Sequence, residues 1–359
     1  MSGKRDRLYF EAMRILACFF VIFNHTEVEG FFLYLEQEQT SLRFWWYLLV
    51  SVVCKFSVPL FFAVSGALLL VKEEPVKDIW VKRIGKIAAD LLLFSFGIYL
   101  WEVLRGRQVF SLRTFFIYLY AFEWNPPYWY LYAFIPFLMS LPLLRPLVKN
   151  LPDRAFLYMF GLALIFDGIL PVAEYVAWKG QITLNGNLRT GWLTSNIVLY
   201  PCLGYFLEYR VDIRTCKRKL IGLWSLNILT LLLTGYMTCY EARVTGLWDE
   251  WTTQTFFNAF VMIDCAAVFL TVKYLFTRYK LPGAAGRLMA SVGSCTFGIY
   301  LIHIHVLRKV RLSGIGDLLR ESWGLDAMIT AFILCALTMA AAYVPILLLK
   351  RLPVLKKLL

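Results

Sequence analysis

Ten stretches of about twenty apolar residues recur along this chain, and they restrict its possible folds more than any other feature. They lie at roughly 9–26, 44–70, 86–104, 128–148, 155–173, 191–208, 219–240, 255–276, 290–307 and 327–349. A hydrocarbon core of ~30 Å is crossed by about 20 helical residues, so each stretch is a candidate span. A lipid-exposed backbone must satisfy its own hydrogen bonds, which leaves helices or closed barrels, and continuous rather than alternating apolar runs select helices. With 60% apolar and 17% aromatic residues and a mean hydropathy of +0.63, the 359 residues have too little polar surface to cover a soluble globule. The predicted fold is all-α, a polytopic membrane protein of about ten transmembrane helices. It is expected to form a single domain over 1–359 with no separate soluble domain, because the longest polar connection, about 241–254, is too short to fold alone.

The basic residues predict orientation. With the N-terminus inside, 24 of the 37 Lys and Arg fall on the cytoplasmic side, beginning with Lys4, Arg5 and Arg7 and continuing through the loop from Lys72 to Lys86. Eleven fall outside, the densest group being 308–320, while Arg14 and Lys55 lie within spans. This asymmetry places both termini in the cytoplasm and the chain in the inner (plasma) membrane. It also accounts for the net charge of +13 without nucleic acid, since inner-leaflet loops are basic for insertion and for contact with anionic membrane lipids.

Eight scattered cysteines (18, 54, 202, 216, 239, 265, 295, 335) show no metal or disulfide spacing, and no metal is expected. No small-residue cleavage site follows the first apolar run, so it is expected to be a retained span. No internal repeat suggests a repeat-built transporter.

The first span, EAMRILACFFVIFNH over 11–25, carries Arg14 and His25 eleven positions apart. At ~100° and ~1.5 Å per residue these share one helix face about 16 Å apart, with Glu11 and Cys18 on the same stripe. Intramembrane ionisable groups cost ~2.5 kcal/mol or more and by default mark function. A fixed cation at one end suits an anion, and an imidazole two-thirds of the way across suits a general base. Glu11, three residues before Arg14, is placed to pair with it, and Asn24 to orient His25 although it points about 100° away.

In the second span, KFSVPLFFAVSG over 55–66, Pro59 predicts a kink and Ser65-Gly66 a close backbone approach. Lys82-Arg83 follow beyond it, PYWYLY over 127–132 opens the fourth span, and SCTFGIYLIH over 294–303 lies in the ninth. Tyr300 and His303 fall three apart on one face, with His305 off it.

In order and placement these four motifs resemble those of the acyltransferase-3 family of integral membrane acyltransferases, and the resemblance covers essentially the whole chain. Departures are Glu11 where that family more often has Asp, Tyr128 where a histidine often stands, and no appended extracytoplasmic esterase-like domain. The resemblance implies transfer of an acyl group, most simply acetyl from cytoplasmic acetyl-CoA, to a hydroxyl of an extracytoplasmic or lipid-linked carbohydrate acceptor. His25 would then be catalytic base or acyl carrier. Substrate contacts are expected at Arg14, Glu11, Lys82, Arg83, Ser65, Trp129, Tyr300 and His303. Coenzyme phosphates would dock near Lys82, Arg83 and Arg14, with the pantetheine arm reaching toward His25 through one continuous cavity. The alternative is a transporter or sensor domain, such as the serine-supplying membrane part of racemase-linked family members, for which mid-span Asp264 would be the residue to watch.

Overall fold

The computed structural model describes residues 8–212, 217–279 and 281–358. Lys4, Arg5, Arg7, Arg214, Cys216 and Lys280 lie outside them. The described chain is helical throughout with no strand, as expected for a backbone that must close its hydrogen bonds within each span. Its principal helices are α1 (Leu8–Asn24), α2 (Leu42–Leu69), α3 (Val76–Leu104), α4 (Leu112–Ala121), α5 (Pro126–Asn150), α6 (Asp153–Trp178), α7 (Leu199–Tyr209), α8 (Lys217–Thr245), α9 (Val261–Arg278), α10 (Gly283–Leu312) and α11 (Ala327–Leu349).

Seven of these, α2, α3, α5, α6, α8, α10 and α11, are long and apolar enough to cross a membrane. The other three predicted spans are present as helices that differ in instructive ways. The helix α1 has 17 described residues, and α9 carries Asp264, Lys273 and Arg278. The run at 191–208 is not one span: a turn at Gly191–Thr194 breaks off and α7 supplies only 11 residues. Its polar Thr194, Ser195 and Asn196 line a cavity, the setting in which irregular backbone is tolerated at membrane depth. The short α4 was not expected.

At the centre stands α1, packed on α2, α9, α10 and α11. Met13, Ala17, Cys18, Ile22 and Phe23 are wholly buried, and the Cys18 thiol donates to the Thr296 carbonyl of α10. Around this core, α3, α5, α6 and α8 turn large apolar side chains outward, among them Leu93, Leu143, Leu157 and Leu229, as a surface facing acyl chains requires.

Local sequence explains the closest packing. A Cβ on Gly66 of α2 would lie 2.1 Å from the Pro201 carbonyl oxygen, and one on Gly204 of α7 would lie 1.8 Å from that of Ala63, so the two backbones touch where only glycine fits. Within α2, Pro59 has no N–H to donate, and the preceding Cys54–Phe56 tightens into a 3₁₀ turn.

Lys273, one of the 24 basic residues assigned to the cytoplasmic side, is buried. Its ammonium lies 3.1 Å from a Glu208 carboxylate oxygen and donates to the Leu207 and Glu208 carbonyls, while Tyr9 donates to the same carboxylate. A charge this dry is tolerated only when paired and hydrogen-bonded.

Candidate active site

Two cavities lie toward opposite ends of α1. The smaller, about 350 Å³, is at the end where the chain starts. It is lined by Arg14, Ser65, Lys82, Arg83 and Lys86 and by the apolar Phe61, Leu68, Phe134 and Phe297. The larger, about 970 Å³, holds His25 together with Asn24, Lys55, Trp129, Asp167, Thr194, Asn196, Gln254 and Asn258. Tyr130 and Tyr300 are in the walls of both. The two cavities therefore adjoin, and two bulky phenol rings stand where they do.

His25 is held by the turn that ends α1. Its N–H donates to the Ile22 carbonyl, and the buried Thr26 hydroxyl donates to the Phe23 carbonyl while accepting from the Phe31 N–H. Glu27 then takes a left-handed conformation, φ 52°, which reverses the chain immediately beyond the imidazole. Asn24 does not reach His25 in a hydrogen bond. Its amide donates to the Phe20 and Cys54 carbonyls and to the Ser57 hydroxyl, and its oxygen accepts from the Cys54 thiol, so it fastens α1 to α2.

His303 lines neither cavity. It is fully buried behind His25, with ring centroids 5.3 Å apart, and its Nδ1 bonds the Tyr300 carbonyl at 2.5 Å. Since that carbonyl can only accept, Nδ1 carries the proton and Nε2 is left as an acceptor, with no hydrogen-bond partner among the described residues. Tyr300 is fixed from three sides: its hydroxyl donates to the Pro127 carbonyl, and its ring packs on Tyr130 at 5.6 Å and His303 at 5.7 Å. Tyr128 is wholly buried and donates to the Leu301 carbonyl, which joins α5 to α10 rather than offering a group to either cavity.

At the smaller cavity, Arg14 and Glu11 form the expected ion pair at 2.8 Å. Glu11 lines no cavity and instead packs over Gly293 of α10, where a Cβ would lie 2.4 Å from its carboxylate oxygen. Lys82 and Arg83 sit on a π turn, Ile79–Ile84, inside α3 rather than in a loop before it. Lys82 is exposed and pairs with Asp78 at 2.7 Å. Arg83 grips Glu74 with two hydrogen bonds, at 2.6 and 2.8 Å, and Arg145 donates to the same carboxylate at 2.6 Å. The hydrogen bonds from Arg83 and Arg145, with their charges, hold the Glu74 carboxyl down at about 2 against the opposing effect of burial.

Several lining residues were not singled out from sequence. Lys55 donates to Gln254 at 2.9 Å and lies over the Phe31 ring at 4.4 Å. Like Arg14 it is a cation inside an apolar run, and that was the available signal. Asp167 gave the same signal and rides a second π turn, Leu164–Ile169, of the kind that often marks functional positions. Asp264, by contrast, is buried against α8 and lines neither cavity.

The fold and site are those of a helical membrane protein with an imidazole in one cavity, a cluster of cations in another and aromatic side chains lining both. The family model described as an acyltransferase domain matches residues 7–347, and the chain belongs to this acyltransferase-3 family. It is thus a membrane acyltransferase. No curated protein and no solved structure matches it. Among the described residues no group of His, Cys, Asp and Glu is arranged to hold a metal ion.

Proposed function

We propose that the protein moves an acyl group, most simply acetyl, from cytoplasmic acyl-CoA to a hydroxyl of a lipid-linked or extracytoplasmic carbohydrate. In this scheme it sits in the plasma membrane with both termini cytoplasmic. The observation that carries the proposal is the pair of cavities at the two ends of α1, one basic and one holding His25, which share Tyr130 and Tyr300. Anionic groups of the coenzyme are drawn to Arg14, Lys82, Arg83 and Lys86, because guanidinium groups offer phosphate oxygens paired, directed donors. The apolar side chains of the smaller cavity accept the pantetheine arm. The acceptor occupies the larger cavity, whose amides, Asp167 and Trp129 suit a polyhydroxylated ring.

His25 removes the proton from the acceptor hydroxyl as its oxygen attacks the thioester carbonyl. The C–S bond breaks, the ester forms, and the coenzyme leaves as thiol after taking up the proton. The buried His303 ring and the Thr26 turn hold the imidazole in place. The test is transfer by the purified protein from acetyl-CoA. His25→Ala should lower the rate by about 10²–10⁴-fold while coenzyme binding persists. Full activity in that variant would remove the mechanism, and solute uptake by reconstituted vesicles without acyl transfer would favour a transporter.

A further inference from the structure

We propose that Tyr130 sets the length of acyl chain the protein accepts, acting as the wall that the thioester end of the donor must pass to reach His25. The proposal rests on the acyltransferase scheme above and adds a selectivity that the scheme does not contain.

The two phenols shared by the cavities are not equivalent. Tyr300 is tied to the Pro127 carbonyl and backed by His303, so moving it would disturb α5, α10 and the support of His25 together. Tyr130 stands on the first turn of α5 with its ring among apolar neighbours. Phe62 lies 5.1 Å away, Phe134 5.5 Å and Phe61 6.0 Å, and Ser65 of α2 is beside its hydroxyl. Phe61, Ser65 and Phe134 also line the donor cavity. Ser65, expected from the sequence to touch substrate, thus also neighbours this ring.

A thioester entering past the cations runs along Phe61 and Phe134 and meets Tyr130 edge on. With the reacting carbonyl at the shared wall, each further methylene of the acyl group has to lie where the Tyr130 ring stands. A packed interior does not yield that space cheaply, because added methylenes force neighbouring side chains off their rotamers. One methylene misfitted in an apolar pocket costs roughly 10–200-fold in specificity. Acetyl is consequently favoured over butyryl by the fixed ring, and shortening that side chain opens the space.

The experiment compares kcat/KM for acetyl-CoA, butyryl-CoA and hexanoyl-CoA in the wild type, Tyr130→Phe and Tyr130→Ala, using whole purified protein in nanodiscs. The wild type should prefer acetyl over butyryl by roughly tenfold or more. Tyr130→Phe keeps the ring and should keep that preference. Tyr130→Ala should erase or invert the preference, with the gain on butyryl-CoA serving as internal proof of folding. An active wild type whose Tyr130→Ala variant keeps the same chain-length profile overturns this proposal alone. If Tyr130→Ala is inactive on every donor, Tyr130→Leu replaces it, and an unchanged profile there is equally fatal. A wild type inactive on all three donors, with intact binding of the coenzyme, would instead sink the acyltransferase scheme.

Discussion

Glu74 shows how a single carboxylate organises the basic mouth of the donor cavity. It accepts from both Arg83 and Arg145, whose side chains come from α3 and α5, and Arg145 also donates to the Leu69 carbonyl at the end of α2. Three helices therefore meet at one carboxyl group. Bidentate arginine pairs hold their geometry better than lysine pairs, so this network contributes about 1 kcal/mol or more, beyond an ordinary surface pair. The carboxyl is depressed from 4.5 to about 2, so the folded state favours the ionised form. Its contribution is complete above about pH 4.5 and is lost as the pH falls toward 2. The melting temperature of wild type should therefore exceed that of Glu74→Gln at pH 7, with the gap closing between pH 4.5 and 2. A gap that stays constant through that window would mean the ionised carboxylate is not what holds the three helices. Residues of this kind were only half legible. Arg83 was identified as basic and as a donor contact, but nothing local reveals that Glu74, nine residues before it, already occupies its guanidinium. The pairing of Arg14 with Glu11 was legible because helix spacing alone brings them together.

Helices show the same division between what spacing encodes and what packing decides. Seven of the ten apolar runs became helices long and apolar enough to cross a membrane, because hydrophobic length is a property of each segment by itself. The interruptions inside them were visible only where a residue type forces one, as Pro59 does with the 3₁₀ turn before it. The π turns that carry Lys82 and Arg83 in α3 and Asp167 in α6 leave no such mark, because an extra residue per turn is stabilised by neighbours and not by propensity. The run at 191–208 misled for a related reason. Mean apolarity is high enough for a span, yet its polar residues are used to line the larger cavity and the backbone leaves the helix to present them. Ser65-Gly66 was read correctly as a close approach, and its partner is now Pro201 of α7. Because the atoms in the way are backbone, no rotamer change can relieve a side chain there. Gly66→Ala and Gly204→Ala should each destabilise by at least the ~1–3 kcal/mol typical of overpacking. Thermal unfolding in detergent checks this, with Gly97→Ala in α3, where a Cβ meets nothing within 4 Å, as the neutral comparison. Equal melting temperatures for all three would mean that α2 and α7 separate more readily than their packing implies.

On the scale of the whole molecule, the two cavities have meaning only if they open to opposite sides of the membrane, and the charge distribution is the basis for expecting that. A basic segment at 308–320 on the outer side runs against that distribution, and Arg311 and Arg320 within it are paired. Arg311 is held by Glu27 at 2.9 Å and Glu29 at 3.0 Å, and Arg320 by Asp317 at 3.1 Å. Arg43, Arg107 and Arg189, also assigned outside, lie beside Asp326, Glu102 and Glu174. These pairs do not alter the count, since orientation follows Lys and Arg and acidic residues contribute little, so the excess of 24 inside over 11 outside sets it. Labelling with a membrane-impermeant thiol reagent provides the check, and the protein is suited to it because its seven described cysteines are all buried. In a Cys216→Ser background, Glu38→Cys before α2 and Glu73→Cys after it place one new thiol on each exposed loop. Glu38→Cys should react in intact cells, and Glu73→Cys only after the membrane is opened. Reaction of both from the same side would mean that α2 does not cross. Arg14 and His25 would then face a single compartment, and an acyl group carried from one side of the bilayer to the other would have no path through this protein.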